Sequence, residues 1–317
     1  MDELEAAKLC ELLNIRYPII MAPMFLVSNN EMLIEATKAG IAGCIPALNW
    51  RSEAELRNGL KELDSECKGA WGINLIVNKS NLKLQYQIKA CLETPPDFII
   101  TSLGNPKEVI EQAHKKGIKV FCDVNDINYA QKVLDAGVDG LIAVNAEAGG
   151  HRGSVSYKDL LPQLVKEFDV PVISAGGVSN REGIIEKLKL GASGVSVGSP
   201  FIASSESPVS EEYKQACVDY GADDIVVTTK ISGSPLTVIN TPYVQKIGTK
   251  QNKLERMLSK NKRLKKYVKM FVFAKGMRSV EKAAFSASYK TVWCAGPSIE
   301  FTSEIKAVDS IVQDLIS

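Results

Sequence analysis

The stretch "PVISAGGVSNREGIIEKLKLGASGVSVGS", residues 171–199, contains one complete structural repeat. An apolar run, 171–177, ends in two glycines. A helical stretch, 180–190, follows and closes on Leu190-Gly191. A second apolar run, 193–199, ends in Gly198-Ser199. Short runs rich in Val and Ile, without polar alternation, read as strands buried on both faces, as in a parallel sheet. A glycine directly after a helix supplies the left-handed cap that releases the chain into the next strand.

Working outward from this stretch, the unit recurs. Further apolar runs lie at 17–24, 42–48, 70–77, 97–102, 118–124 and 139–145, which makes eight in all. Helical periodicity marks 29–39, 51–63, 105–116, 126–136 and 157–168 between them, and Ala39-Gly40 and Ala136-Gly137 repeat the capping pattern. Eight strand–helix repeats predict an α/β fold of the TIM (β/α)8 barrel type. An open, doubly wound sheet rarely needs eight strands.

The totals agree with a globular enzyme. The chain has 317 residues, 45% hydrophobic and 24% charged, the balance of a protein with a real core. A net charge of +1 gives no global pull toward nucleic acid or membrane. The seven cysteines form no Cys-x-x-Cys pair, and the acidic, amphipathic helical start (residues 1–15) has no leader pattern, so a reduced cytoplasmic protein without a cysteine metal site is expected. No apolar run approaches the ~20 residues of a membrane span, and no His, Asp and Glu cluster suggests a metal.

From about residue 228 the rhythm stops. Residues 246–290 are dense in Lys and Arg, opposed only by Glu255 and Glu281. The expected division is a barrel from 1–227 plus 291–317, with 228–290 as a basic helical insertion or lid. Such a segment is either a solvated face or a docking patch for an anionic substrate, a nucleotide or a carrier protein. Nucleic acid is not expected, because aromatic residues are not interleaved as stacking platforms. The tail, 297–317, reads as one amphipathic helix with Glu300, Glu304, Asp309 and Asp314 on its polar side.

In a TIM barrel the chemistry sits at the C-terminal ends of the strands. Here those ends hold Ala22-Pro23-Met24, Asn49, Asn74, Thr101-Ser102, Asp123, Asn145 to Arg152, Ser174 to Val178, and Gly198-Ser199. Small residues dominate, which lets something large and flat approach the backbone. The loops after strands 7 and 8 commonly bind phosphate in this fold, so Gly176, Gly177, Gly198 and Ser199 are the candidate anion site, assisted by a helix N-terminus. The stretch "AEAGGHRGS", 146–154, carries His151, one of only two histidines. An imidazole at a strand end suits proton transfer or stabilisation of developing charge. His114, on the last turn of a helix, reads as structural.

With these residues placed, the chain resembles the nitronate monooxygenase (2-nitropropane dioxygenase-like) family of FMN-dependent TIM-barrel enzymes. The resemblance rests on "YPIIMAPM" (17–24), "GINLIV" (72–77), "EAGGHRG" (147–153), "SAGGV" (174–178) and "VGSPFIASSES" (197–207), and more weakly on "KTVWCAGPSIEF" (290–301). It implies FMN with its phosphate on Gly176, Gly177, Gly198 and Ser199 and its ring near Ala22, Pro23, Met24 and Asn74. The implied cofactor set extends to Asp123, Asn145, Ala148, Gly149, Gly150 and Ala175, with His151 as the catalytic base and no metal. The same loop occurs in flavin-dependent enoyl-acyl-carrier-protein reductases, and related members resemble NADH:quinone reductases. The resemblance therefore leaves open a nitronate, an enoyl thioester or a quinone as small-molecule substrate, NAD(P)H as donor, an acyl carrier protein as partner, and a homodimer. Three departures stand out. The basic segment lies where family members put a helical lid, and its charge suits an acyl carrier protein or a dinucleotide, which pulls toward the reductases. Val144-Asn145 replaces the family's Gln or Glu followed by Gly, and "APM" replaces the "GGM" common in the enoyl reductases, which favours the nitronate branch.

Overall fold

The computed structural model describes residues 3–229, 234–250 and 292–317. Within them eight parallel strands close into a barrel. In chain order these are β1 (Ile19–Met21), β2 (Ala42–Pro46), β3 (Trp71–Ile76), β4 (Phe98–Ser102), β5 (Lys119–Val124) and β6 (Gly140–Val144). After a two-residue strand outside the barrel, β7 (Gly150–His151), come β8 (Val172–Ala175) and β9 (Gly194–Val197). Neighbours pair in sequence order apart from β7, and β9 closes on β1 with Ile20 opposite Ser196. The barrel predicted from the repeat is thus the one observed.

Alternation along each strand divides the core in two. Ile20, Cys44, Ile100, Ile142 and Ile173 point inward, and below them Phe98 meets Phe121 edge-on, with ring centroids 5.8 Å apart. Helix α1 (Lys8–Leu13) plugs the N-terminal end through Leu9 and Leu13. The acidic start therefore forms a much shorter helix than its composition predicts, and residues 1–2 lie outside the described residues. Ile19, Ile73, Ile99 and Leu141 point outward into the larger core beneath the surrounding helices.

Those helices are α2 (Asn30–Lys38), α3 (Glu53–Glu66), α4 (Leu84–Glu93), α5 (Lys107–His114), α6 (Ile127–Leu134), α7 (Tyr157–Glu167) and α8 (Arg181–Lys189). Asn29, Ser52, Asp126 and Asn180 cap their helices through side-chain oxygens. The capping glycines Gly40, Gly137 and Gly191 all have positive φ, as the sequence pattern requires. Helix α4, absent from the helices marked above, fills the gap between β3 and β4.

Two features depart from the sequence reading. Beyond α9 (Glu211–Asp219), strand β10 (Ile225–Thr228) pairs antiparallel with β11 (Leu236–Ile239), and β11 pairs with β7. A strand therefore stands inside the segment expected to be helical, followed by the short helix α10 (Pro242–Ile247). Most of the basic stretch 246–290 lies outside the described residues. The tail is not one helix either. A 3-10 turn (Pro297–Phe301) is separated from α11 (Val308–Ile316) because the backbone at Lys306 bridges to Ser204, and the Lys306 carbonyl accepts from the Ser205 N–H at 3.0 Å. The Glu206 carboxylate then caps α11 by accepting from the Val308 N–H at 3.0 Å. No helix among the described residues is long and apolar enough to cross a membrane.

Candidate active site

A cavity of about 770 Å³ opens at the C-terminal ends of the strands, large enough for a cofactor and a substrate together. It is lined by Ala22, Pro23 and Met24 after β1, Asn74 on β3, Asp123 on β5, and Ala148, Gly149, Gly150 and His151 after β6. Ala175, Gly176 and Gly177 after β8 and Gly198 and Ser199 after β9 complete the predicted set. Asn145 alone among the predicted cofactor residues is not on the wall. It is fully buried behind it, donating to the Gly176 carbonyl at 3.1 Å and accepting from the Glu147 N–H at 2.8 Å. It ties the His151 loop to the Gly176–Gly177 loop.

The glycines fit close approach rather than looseness. Gly176 and Gly177 have φ of +112° and +70°. A Cβ on Gly176 would lie 2.5 Å from the Ala148 amide nitrogen. A Cβ on Gly149 would lie 2.8 Å from Ser199 Oγ and 2.9 Å from the Gly296 amide nitrogen. Three segments distant in sequence thus meet at van der Waals limits. Ser199 Oγ accepts from the Gly296 N–H at 2.8 Å, which leaves its own proton to donate.

His151 does not sit on a free hinge. As part of β7 it pairs with Leu236 of β11, and the Thr237 hydroxyl donates to the Ala148 carbonyl at 2.9 Å. Its ring is exposed on the cavity side, and the walls around it desolvate it enough to lower its pKa from the ordinary histidine value. A neutral imidazole at pH 7 accepts a proton. No side chain among the described residues hydrogen-bonds to that ring.

On the opposite chemistry, Asn74 donates to Ser102 Oγ at 2.7 Å, and Ser102 donates to Asp123 Oδ2 at 2.5 Å. Ser102 appears in the sequence only as a strand end, and this polar chain shows its role. Tyr129 and Leu236 also line the cavity unannounced by any motif, and Cys294 lines it from the weakly matching "KTVWCAGPSIEF" stretch. Glu147 is on the wall, its carboxylate against Gly177. His114 is structural: it bonds Asp139 Oδ2 at 2.9 Å, on the carboxylate that also accepts from the Val120 N–H.

With this geometry in view, the comparison with known proteins is direct. The family profile described as nitronate monooxygenase matches residues 6–317. The chain belongs to the nitronate monooxygenase family. It is similar to a probable nitronate monooxygenase of Staphylococcus saprophyticus, 28% identical over 281 residues, covering 74% of this chain and 79% of that protein. It is also similar to the (3aS,4S,5R,7aS)-5-hydroxy-7a-methyl-1-oxo-octahydro-1H-indene-4-carboxyl-CoA dehydrogenase of Rhodococcus jostii, 26% identical over 239 residues, covering 75% of this chain and 67% of that protein. Among solved structures, FabK from Thermotoga maritima superposes with a TM-score of 0.84 at 27% identity, covering 98% of this chain and 94% of that one. As a member of the nitronate monooxygenase family the protein is an enzyme, an oxidoreductase of the flavin-dependent class.

In this family member the cavity carboxylate is costly to keep charged. Burial raises the Asp123 pKa to about 6, against the opposing pull of the Ser102 hydroxyl. The folded protein then holds this proton more tightly than the unfolded chain, so stability falls as pH rises from about 4 through 6. Asp123→Asn is expected to raise the free energy of unfolding by about 3 kcal/mol at pH 8 and by little at pH 4. Urea melts at the two pH values check it, and an equal effect at both would mean that Asp123 titrates like a solvated carboxyl.

Proposed function

We propose that this protein is an FMN-dependent nitronate monooxygenase that oxidises alkyl nitronates or nitroalkanes with O2. The observation that carries the reading is His151. It is a desolvated, neutral imidazole held by a strand pair on the wall of a cavity whose other walls are small residues and two glycine-ended loops. FMN fits this wall. Its phosphate has the left-handed Gly176–Gly177 turn, the Gly198 backbone and the unspent Ser199 proton. A flat ring would lie against Ala22, Pro23, Met24 and Asn74, which line the cavity together.

In this reading His151 Nδ1 or Nε2 accepts the proton from the carbon alpha to a neutral nitro group, and the resulting imidazolium faces the nitronate oxygens. When bound, FMN supplies the electron-accepting chemistry and returns electrons to O2. Asn74, Ser102 and Asp123 form a hydrogen-bonded chain that fixes the orientation of polar groups on the cavity floor.

A second reading is an NAD(P)H-dependent reductase of enoyl thioesters or quinones, favoured by the likeness to FabK and by the basic composition of 246–290, which would suit a carrier protein or a dinucleotide. Ser234, Pro235, Leu236 and Val292, on either side of the undescribed stretch, line the cavity, which supports 228–290 as an insertion bordering the site. The test follows oxygen uptake with propionate-3-nitronate against NADH oxidation with crotonyl thioesters or quinones. Nitronate-dependent oxygen uptake is the expected result. NADH turnover without it would replace the first reading by the second.

A further inference from the structure

Lys187 is the feature that neither the family motifs nor the proposed reaction uses. It lies on α8, just behind the Gly176–Gly177 turn, and is 1% exposed. Lysine is almost never buried without a charged partner. Here no carboxylate among the described residues lies within ion-pair distance of its ammonium. Nζ donates to the Gly177 carbonyl at 2.8 Å and sits 3.6 Å from the centre of the Tyr157 ring, a cation–π contact. The Tyr157 hydroxyl is in turn held by Glu186 at 2.9 Å, so the ring cannot swing away. Desolvation lowers the Lys187 pKa, while Glu147 and Glu186 oppose that shift and Lys158 adds to it.

Two consequences follow from this placement. Because a peptide unit is planar and trans, a Gly177 carbonyl aimed at Lys187 turns the Val178 N–H to the opposite side of the chain. The turn is thereby fixed in one orientation. In addition, Glu147 places a carboxylate against Gly177, which by itself would repel an anion from this loop. A buried ammonium behind the turn offsets that repulsion, and it acts through protein rather than water, where screening is weak.

We propose that Lys187 is a positioning residue for anion binding, one that holds the Gly176–Gly177 turn by its carbonyl and sets a positive charge behind it. The loop then selects a ligand that carries a phosphate monoester, here the phosphorylated flavin over the unphosphorylated one. The inference rests on the reading of this cavity as a flavin site.

The experiment titrates the flavin-stripped full-length protein with FMN and, separately, with riboflavin, following flavin fluorescence. The wild type is expected to prefer FMN. Lys187→Met, which keeps the aliphatic stem, should weaken FMN by about tenfold or more, the worth of one charge-assisted contact, and leave riboflavin unchanged. Lys187→Arg should restore most of the preference. Lys187→Gln, which keeps a donor for the Gly177 carbonyl without the charge, should remain weak. A Lys187→Met protein that retains the wild-type ratio of the two affinities overturns the inference, whether both affinities stay or both fall together. If that variant does not fold, the same ratio is read on Lys187→Gln, with the same deciding outcomes. A wild type that binds neither flavin overturns the flavin reading and this inference with it. A wild type that prefers FMN while the variants keep that preference overturns this inference alone.

Discussion

His151→Ala is expected to lower kcat/KM for a neutral nitroalkane by about 10²–10⁴-fold, the usual worth of a positioned general base. With the preformed anionic nitronate the loss should be far smaller, because no proton has to be removed. The comparison separates a base from a group that only binds charge. The variant should fold, since β7 pairs with β11 through its backbone and the imidazole makes no hydrogen bond to the described residues. In the wild type, activity on the neutral substrate should rise with pH through a midpoint below the ordinary histidine value, because desolvation lowers the His151 pKa. Asp123, at about 6, titrates in a neighbouring range. The profile of Asp123→Asn assigns the limb: if the midpoint persists, it belongs to His151. Equal losses on nitroalkane and nitronate would remove His151 from proton transfer.

Trp293→Ala is expected to destabilise the fold by about 3–5 kcal/mol, as for other fully buried large aromatics. Trp293 is completely buried, in a cluster with Leu26, Val27, Ile202 and Ile239. Its ring stacks on Tyr213 at 5.5 Å and 10°, and the Tyr213 hydroxyl donates to the Cys294 carbonyl at 2.5 Å. Removing the indole leaves a void and frees the segment that presses Gly296 on Gly149 and gives its N–H to Ser199. Reduced ligand affinity should therefore accompany the loss of stability. Urea denaturation measures the first effect, and Trp293→Phe should recover about half of it. A loss below about 1 kcal/mol would mean that the site collapses around the missing ring.

Much of this was legible because it is local. Strands buried on both faces are continuous apolar runs, so all eight barrel strands can be counted in the sequence. Gly40, Gly137 and Gly191 announce their helix ends because few other residues tolerate positive φ. The position of a loop in the repeat then places His151 and the glycines of 176–177 at the cavity without any side-chain detail. What stayed hidden depends on partners far along the chain. β7 is two residues long, too short to show a period, and exists only because β11 arrives beside it. Gly150 and His151 are consequently held as a strand. Asn145, adjacent to the key motif, faces the loops behind the wall because its amide finds Gly176 there. The "WCAG" segment has no local signature for its contact with Gly149.

The sequence alone determined the barrel, its order of strands and the face on which the cavity opens, since hydrophobic period and chain turns are properties of neighbouring residues. Only the tertiary structure decided which charges are buried and what they meet. Lys187 stands in "EKLKLG", a stretch that reads as a solvated helical face, and Asp123 reads as one strand end among several. Their desolvation comes from walls supplied by other segments, and burial of a charge is set by everything packed around it rather than by the residues beside it.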